Sequence, residues 1–396
     1  MRTGTNHLFI PGPTNVPDDV RRAMNVAQED QRGPDFGRFT LSILSDLKAV
    51  FRTTTGTVML FPGSGTGAWE AAITNTLNPG DRVLMARHGQ FSTLWAEMAM
   101  RLGLAVDLVD LDWGAGTPVA TFAGRLAGDS TIKAVFVTHN ETATGVTSDV
   151  AGVRAAMDAC GHPALLYVDG VSSIGSLDFR MDDWGVDLAV TGSQKGLMCP
   201  AGLGILAVSE KAMEAAKTAT LRRAYFEFAD MATTSRTGYF PYTPPTPLLH
   251  GLRRALDRIH AEGLDTVIAR HARLAEGVRR GVAAWGLSLC AEDRASCSNT
   301  VTAIRTPEGV DARAVIRIGY ERYNASFGSG LSRLAGQVFR IGHLGDLNEG
   351  MCLTALSIAE MALAEAGADV VFGSGVAAAQ AWYAGAHPSA QRIAAE

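Results

Sequence analysis

The sequence predicts an α/β fold: a large domain on a mostly parallel, seven-stranded sheet wrapped by helices, then a smaller C-terminal α/β domain. Two observations predict it. Between about residues 55 and 210, short and continuously apolar runs alternate with helical stretches. Continuous rather than alternating apolarity suits strands covered on both faces. After residue 210 the pattern changes character, and a chain of 396 residues exceeds the roughly 250–300 at which single cores stop growing. The expected division is an N-terminal segment (1–20), a large domain (21–262) and a small domain (263–396).

Taken in order, the N-terminal stretch MRTGTNHLFIPGPTNVP is broken by prolines and holds no apolar run long enough for a signal peptide. The strand candidates are VMLF (58–61), DRVLMARH (81–88), AVDLVDLD (105–112), IKAVFVTHNE (132–141), ALLYVDGV (164–171), LAVTGSQK (188–195) and GILAVS (204–209). Several end in polar clusters, RHGQ, HNETATG, DGVSS and TGSQK among them. In open parallel sheets ligands gather beyond the carboxyl ends of the strands, so these clusters should converge on one edge. FPYTPPTP (240–247) is a proline-rich crossing, and Thr246 with Pro247 reads as an N-cap and first turn for a helix through LLHGLRRALDRIHAEG. A second helix runs from Asp265, with Val267, Leu274, Val278, Val282 and Trp285 at helical spacing. SNTVTAIRT and QVFRIGHLG are strand candidates of the small domain, and the alanine-rich tail after about residue 374 carries no recognisable chemistry.

Composition excludes several classes. A net charge of −5 gives no electrostatic ground for nucleic acid or acidic membranes as partners. No run approaches the roughly 18 apolar residues of a membrane span. Five cysteines form an odd number without metal-site or CxxC spacing, which suits a reducing cytoplasm rather than a disulfide framework. The expected protein is cytoplasmic and holds no metal.

Three features carry chemistry. Lys195 follows the apolar run LAV within TGSQKGLMCPAG, flanked by Gly192, Ser193 and Gly196. Lysines at strand ends are usually solvated. One stripped of water has a depressed pKa and becomes a Schiff-base nucleophile near neutral pH. Asp169 ends the run ALLYVD, 26 residues earlier, where it reads either as a helix N-cap or as the carboxylate paired with a pyridinium nitrogen. GSGTGAWE (63–70) places glycines and hydroxyls at a helix start, an anion cradle of backbone amides. GSGTGA also fits the dinucleotide fingerprint, which wants an acid at the end of the following strand. That strand ends in Arg87 and His88, so a nicotinamide oxidoreductase stays open as a weaker alternative.

The set PGP (11–13), GSGT (63–66), HNETATG (139–145), VDGVSSIG (168–175), GSQKGL (192–197), YTPP (242–245) and FRIGHLG (339–345) resembles the class V, fold-type I pyridoxal-phosphate aminotransferases. The serine–glyoxylate and alanine–glyoxylate group is the nearest in pattern, and an aspartate–glyoxylate enzyme belongs to the same range. The resemblance implies pyridoxal 5′-phosphate as cofactor, with Lys195 as the Schiff-base lysine and Asp169 as partner of the ring nitrogen. It implies Ser64, Gly65, Thr66 and Gln194 around the phosphate, Val171 and Phe91 against the ring, and Thr142 near its hydroxyl. Phe91 stands where relatives carry a tryptophan, keeping the face contact and losing an indole donor. Thr243 corresponds to a phosphate ligand supplied by a neighbouring subunit, which implies a homodimer, or a higher oligomer, with shared sites. A tyrosine that some relatives place three residues before that threonine is Phe240 here, so Tyr242 or Tyr239 would have to supply its hydroxyl. Arg340 corresponds to the fork for the substrate α-carboxylate, and the backbone of Gly12 faces the same substrate.

The implied reaction is ping-pong amino transfer from a small L-amino acid to the 2-oxo acid glyoxylate, giving glycine. Serine and aspartate stand ahead of alanine as donor, and a second cation for aspartate could come from Arg32, Arg87 or Arg333. A desulfurase or other lyase on the same scaffold is the alternative within the family. His88, His139 and His343 lack metal-ligand spacing and read as local hydrogen-bonding residues, and Cys199, between Met198 and Pro200, reads as buried packing.

Overall fold

A computed structural model describes residues 5–385. The chain opens with strand β1 (His7–Phe9) and helices α1 (Asp18–Ala23) and α2 (Pro34–Phe51). Then β2 (Thr57–Pro62), α3 (Gly65–Thr76), β3 (Arg82–Arg87), α4 (Gln90–Arg101), β4 (Ala105–Asp110), α5 (Val119–Gly128) and β5 (Ile132–Thr138) alternate. A two-stranded ribbon, β6 (Asn140–Glu141) with β7 (Val146–Thr147), precedes α6 (Val150–Ala159). β8 (Leu165–Asp169), β9 (Leu188–Gly192) and β10 (Leu203–Val208) complete the large sheet. Its order is β2-β10-β9-β8-β5-β3-β4. Only β10 runs against its neighbours β2 and β9, so the sheet is mostly parallel and seven-stranded, a fold-type I α/β arrangement.

The unbroken apolar runs have a direct cause. Alternate residues of each strand enter two separate cores, Val58 and Leu60 one of them, Met59 and Phe61 the other. The first core is closed by Ile43 and Leu47 of α2 together with later helices. The second is closed by Ala68 and Trp69 of α3 and Trp95 of α4. Every residue of β8, β9 and β10 is buried. β4 departs from the expectation of two covered faces: it is an edge strand, half-exposed along its length, and Asp107 within it meets Arg82 and Arg125.

After α7 (Glu210–Ala216) and α8 (Phe228–Ser235), α9 (Thr246–Glu262) crosses back onto the first core. Thr246 is not its N-cap. The carbonyl of Pro245 accepts from the N–H groups of Leu248 and Leu249 at 2.9 and 3.1 Å, so the helix begins one residue earlier than the cap pattern predicts. The small domain holds α10 (Leu264–Ala284), β11 (Val301–Arg305), α11 (Ala312–Tyr323), β12 (Ala325–Ser329), β13 (Val338–Gly342), α12 (Glu349–Glu365) and α13 (Ser374–Gly385). Its sheet has the order β1-β12-β13-β11, with β1 in parallel register against β12, His7 opposite Ala325 and Phe9 opposite Phe327. The N-terminal segment thus adds a strand to the last sheet of the chain.

The alanine-rich tail is structural over its described part. α13 packs on α10, where a Cβ at Gly277 would stand 2.2 Å from the Tyr383 ring, so only glycine admits that ring. Glu360 of α12, buried, accepts hydrogen bonds from the Trp285 indole and from the N–H groups of Gly373 and Gly375 at 2.8, 2.8 and 2.6 Å. Among the described residues no helix is long and apolar enough to cross a membrane.

Candidate active site

The cavity that matters lies beyond the carboxyl ends of β2, β5, β8 and β9, where the polar clusters converge. Asp169 is the last residue of β8, and Lys195 sits three residues past β9. Both line this cavity together with Ser64, Gly65 and Thr66. Phe91, Thr142, Val171 and Gln194 complete the side assigned from sequence.

Lys195 Nζ donates to the carbonyl of Pro11 at 2.8 Å. Burial lowers its amine to about 8, with the Arg340 charge adding to the effect and the Asp169 charge opposing it. Gly12, at φ +120°, passes so close that a Cβ there would stand 2.3 Å from Nζ. No other residue type could occupy that position with the lysine where it is. Asp169 Oδ1 accepts from the N–H of Val171 at 2.9 Å. Burial pushes its carboxyl up to about 7, while the Val171 N–H favours the charged form; the Glu141 charge raises it further, and the Trp69 indole and Lys195 act the other way. A positive charge arriving beside such a group favours ionisation, which is what a pyridinium nitrogen would provide.

The stretch read from sequence as an anion cradle lies at the start of α3. Ser64 caps α3, its hydroxyl accepting from the N–H of Gly67 at 3.3 Å. First-turn N–H groups have no partner inside their own helix. A Cβ at Gly65 would stand 2.6 Å from Val171 Cγ2, so the helix start and the ring-side valine meet only because Gly65 is bare. Gln194 Oε1 is buried without a hydrogen-bond partner. Bare helix amides, a buried carboxylate and a depressed lysine amine fit a phosphorylated aromatic aldehyde such as pyridoxal phosphate.

Arg340, on β13, is only 6% exposed and carries no ion pair among the described residues. Its Nε donates to the Ser329 carbonyl at 2.9 Å and its Nη1 to the Thr142 carbonyl at 2.8 Å. Burial lowers its pKa to about 10, against the Glu141 charge. Tyr242 and Thr243 lie outside this cavity. The Tyr242 hydroxyl donates to the Tyr225 carbonyl at 3.1 Å, its ring stacks on Tyr225 at 4.3 Å, and Thr243 Oγ1 accepts from Gln31 at 3.1 Å. Of the cations considered for a second carboxylate, Arg87 is ion-paired to Asp110 and Arg333 lies 5.6 Å from the Trp113 ring centre. Arg32 sits with Tyr239 and Phe240 on a surface groove.

His139 and His343 bond locally, to Ser173 at 2.9 Å and Thr302 at 2.8 Å. The buried His88 ring makes no well-formed hydrogen bond. Burial pushes the Cys199 thiol up to about 12. No cluster of metal-ligating residues occurs among the described residues.

Sequence reasoning passed over four residues of the site. Trp69, Asn140 and Ser172 line the cavity, and Glu141, fully buried, bonds the backbone at Phe91. Trp69 stacks on Trp95 with ring centres 5.6 Å apart, a floor that continues through Phe136 to Tyr167. All four stand inside the quoted motifs. The available signal was two polar residues, Asn140 and Glu141, placed directly after a buried strand.

Residues 28–332 match the family model Aminotransferase class-V. The chain is 59% identical to a serine–glyoxylate aminotransferase of Hyphomicrobium methylovorum, covering 96% of this chain and 95% of the relative. It is 53% identical to an L-aspartate–glyoxylate aminotransferase of Paracoccus denitrificans, over 99% and 100%. Among solved structures, pyridoxamine–pyruvate aminotransferase from Mesorhizobium loti superposes with a TM-score of 0.92 at 29% identity, over 98% of this chain and 100% of that one.

Proposed function

This chain belongs to the class-V aminotransferase family, and on that premise we propose that it transfers the amino group of L-serine or L-aspartate, ahead of L-alanine, to glyoxylate with pyridoxal phosphate as cofactor. The observation that carries the reading is a buried lysine and a buried aspartate in one cavity, with an arginine that has no carboxylate partner bonded behind the cavity wall to the Thr142 carbonyl. The identities to serine–glyoxylate and aspartate–glyoxylate enzymes support both donors.

When bound, pyridoxal phosphate supplies an electron sink for the carbanion formed at the substrate Cα. The chain's own residues do the rest. Lys195, with its amine near 8, is a competent nucleophile towards an aldehyde at neutral pH. The same Nζ would act as the general base that takes the proton from the substrate Cα. Asp169 would hold a proton on the ring nitrogen. Ser64, Gly65, Thr66 and Gln194 would hold the phosphate, and Phe91 and Val171 would clamp the ring. Arg340 grips the α-carboxylate and so fixes which Cα bond is aligned for cleavage.

Thr243, bonded to Gln31 outside its own chain's cavity, suits a homodimer in which this segment reaches the neighbour's phosphate; Tyr242 would approach with it. Residues 21–262 then form the cofactor domain and 263–396 the domain carrying Arg340. The free cysteines suit a cytoplasmic setting.

Borohydride reduction of the pyridoxal-phosphate-loaded protein, followed by peptide mapping, should label Lys195, and Lys195→Ala should abolish both label and yellow colour. A label elsewhere, or none, overturns the reading. Glycine formed from glyoxylate with serine, aspartate, alanine or glutamate then ranks the donors, and cysteine breakdown without amino transfer would favour a lyase instead.

A further inference from the structure

Glu141 is a fully buried carboxylate that none of the steps above uses. It sits in β6 between Asn140 and Thr142, and burial pushes its carboxyl up despite several hydrogen bonds. Its Oε2 accepts from the N–H of Phe91 at 3.0 Å, the N–H of Ser92 at 2.9 Å and the Ser92 hydroxyl at 3.2 Å. Its Oε1 accepts from the N–H of Ala143 at 3.1 Å.

These are cap bonds supplied from 50 residues away. α4 has Gly89 at its N-cap, with no side chain to satisfy the first-turn N–H groups. A Cβ on Gly89 would stand 2.2 Å from the Glu141 carboxyl carbon, so the bare glycine is what lets the carboxylate in. A serine at position 89 would cap the helix without burying a charge, and an isolated buried charge is costly. The imported carboxylate achieves something a local cap cannot. It ties the first turn of α4, which carries Phe91, to the ribbon residue whose neighbour Thr142 accepts from Arg340 at 2.8 Å.

We propose that Glu141 is a positioning residue that holds the ring-stacking Phe91 and the carboxylate-binding Arg340 in register across the cavity. The proposal rests on the reading of this cavity as the cofactor and substrate site. Through the Phe91 N–H, the Glu141 carboxylate, the Thr142 carbonyl and the Arg340 guanidinium, one chain of contacts spans from the cofactor face to the substrate carboxylate. A glutamine at 141 presents one acceptor and one donor group to four donors, so at least part of the chain must let go.

Pyridoxal phosphate binding is read by quenching of tryptophan fluorescence, since Trp69 lines the cavity, and the KM values for amino donor and glyoxylate by steady-state kinetics. In Glu141→Gln all three constants should rise, by about 10- to 100-fold if the groups shift by roughly an ångström. Glu360→Gln, at a buried glutamate with three donors remote from the cavity, should lower thermal stability and leave those constants unchanged. Should Glu141→Gln not fold, Ser92→Ala removes one of the four donors and should move the same constants severalfold in the same direction. The proposal is overturned if the variants lose stability alone, if Glu360→Gln moves the constants equally, or if Glu141→Gln binds carboxylates more tightly, which would make Glu141 a counter-charge to Arg340. Wild-type protein labelled by borohydride at Lys195 separates the two readings: without that label both fall, and with it only this one is at stake.

Discussion

Arg340 spends one proton each from Nε and Nη1 on backbone carbonyls, which leaves Nη2 and the second Nη1 proton for a ligand. An ammonium group could replace the charge but not the fork. Arg340→Lys should therefore raise KM for the amino acid and for glyoxylate by about tenfold or more, the loss of one charge-assisted hydrogen bond. Pyridoxal phosphate binding should stay at the wild-type level. Steady-state kinetics beside a cofactor titration check both halves. At this scale the sequence was legible where a residue type is unusual for its setting. Lys195 between apolar segments and Asp169 at a buried strand end both stood out. Glu141 did not, because a glutamate beside a strand end is ordinarily solvated, and its donors lie 50 positions away at the start of another helix.

Among elements, the long apolar runs could be read because each strand feeds two cores at once, and their short length with glycine or polar residues at the ends separates them from a buried helix. β4 misled for a related reason: its valines and leucines match an interior strand, while the charged Asp107 answers to Arg82 and Arg125 at the sheet edge. β1 was not legible at all. Three residues carry no periodicity, and their partner strand begins at Ala325. Yet β1 leads directly to Pro11 and Gly12, which touch Lys195. Phe9, 1% exposed, anchors the strand between Phe327 and the small-domain core. Phe9→Ala should cost about 3–5 kcal/mol, the usual range for a buried aromatic truncated to alanine. The shift in a urea unfolding midpoint measures it.

Across the whole molecule, burial sets the response to acid. His88, His139 and His271 are held down to about 4 and His343 to about 3, each chiefly by burial. A histidine depressed in the folded state stabilises the fold above its unfolded value of about 6.5 and loses that contribution as pH falls through the folded value. Asp169, raised to about 7, works in the opposite sense, losing its contribution as pH rises through neutrality. Glu141, also raised by burial, acts with Asp169, but the four histidines outnumber the two carboxyls, so unfolding free energy should fall steadily between about pH 6 and pH 4. Denaturant titrations at pH 7, 5.5 and 4.5 test this, and a flat profile would mean that these rings are hydrated.

Pairing β1 with β12 also orders events during synthesis. The glycine that presses on the lysine leaves the ribosome first, but the strand that fixes it is made more than 300 residues afterwards. At the usual 5–20 residues per second that interval is roughly 15–60 s. A nascent chain can finish its large sheet in that time, yet the strand that leads into Pro11 stays without its partner until the message is almost fully read. Any truncated product that stops short of residue 325 therefore leaves the strand before Pro11 and Gly12 unpaired, however well its larger half has folded.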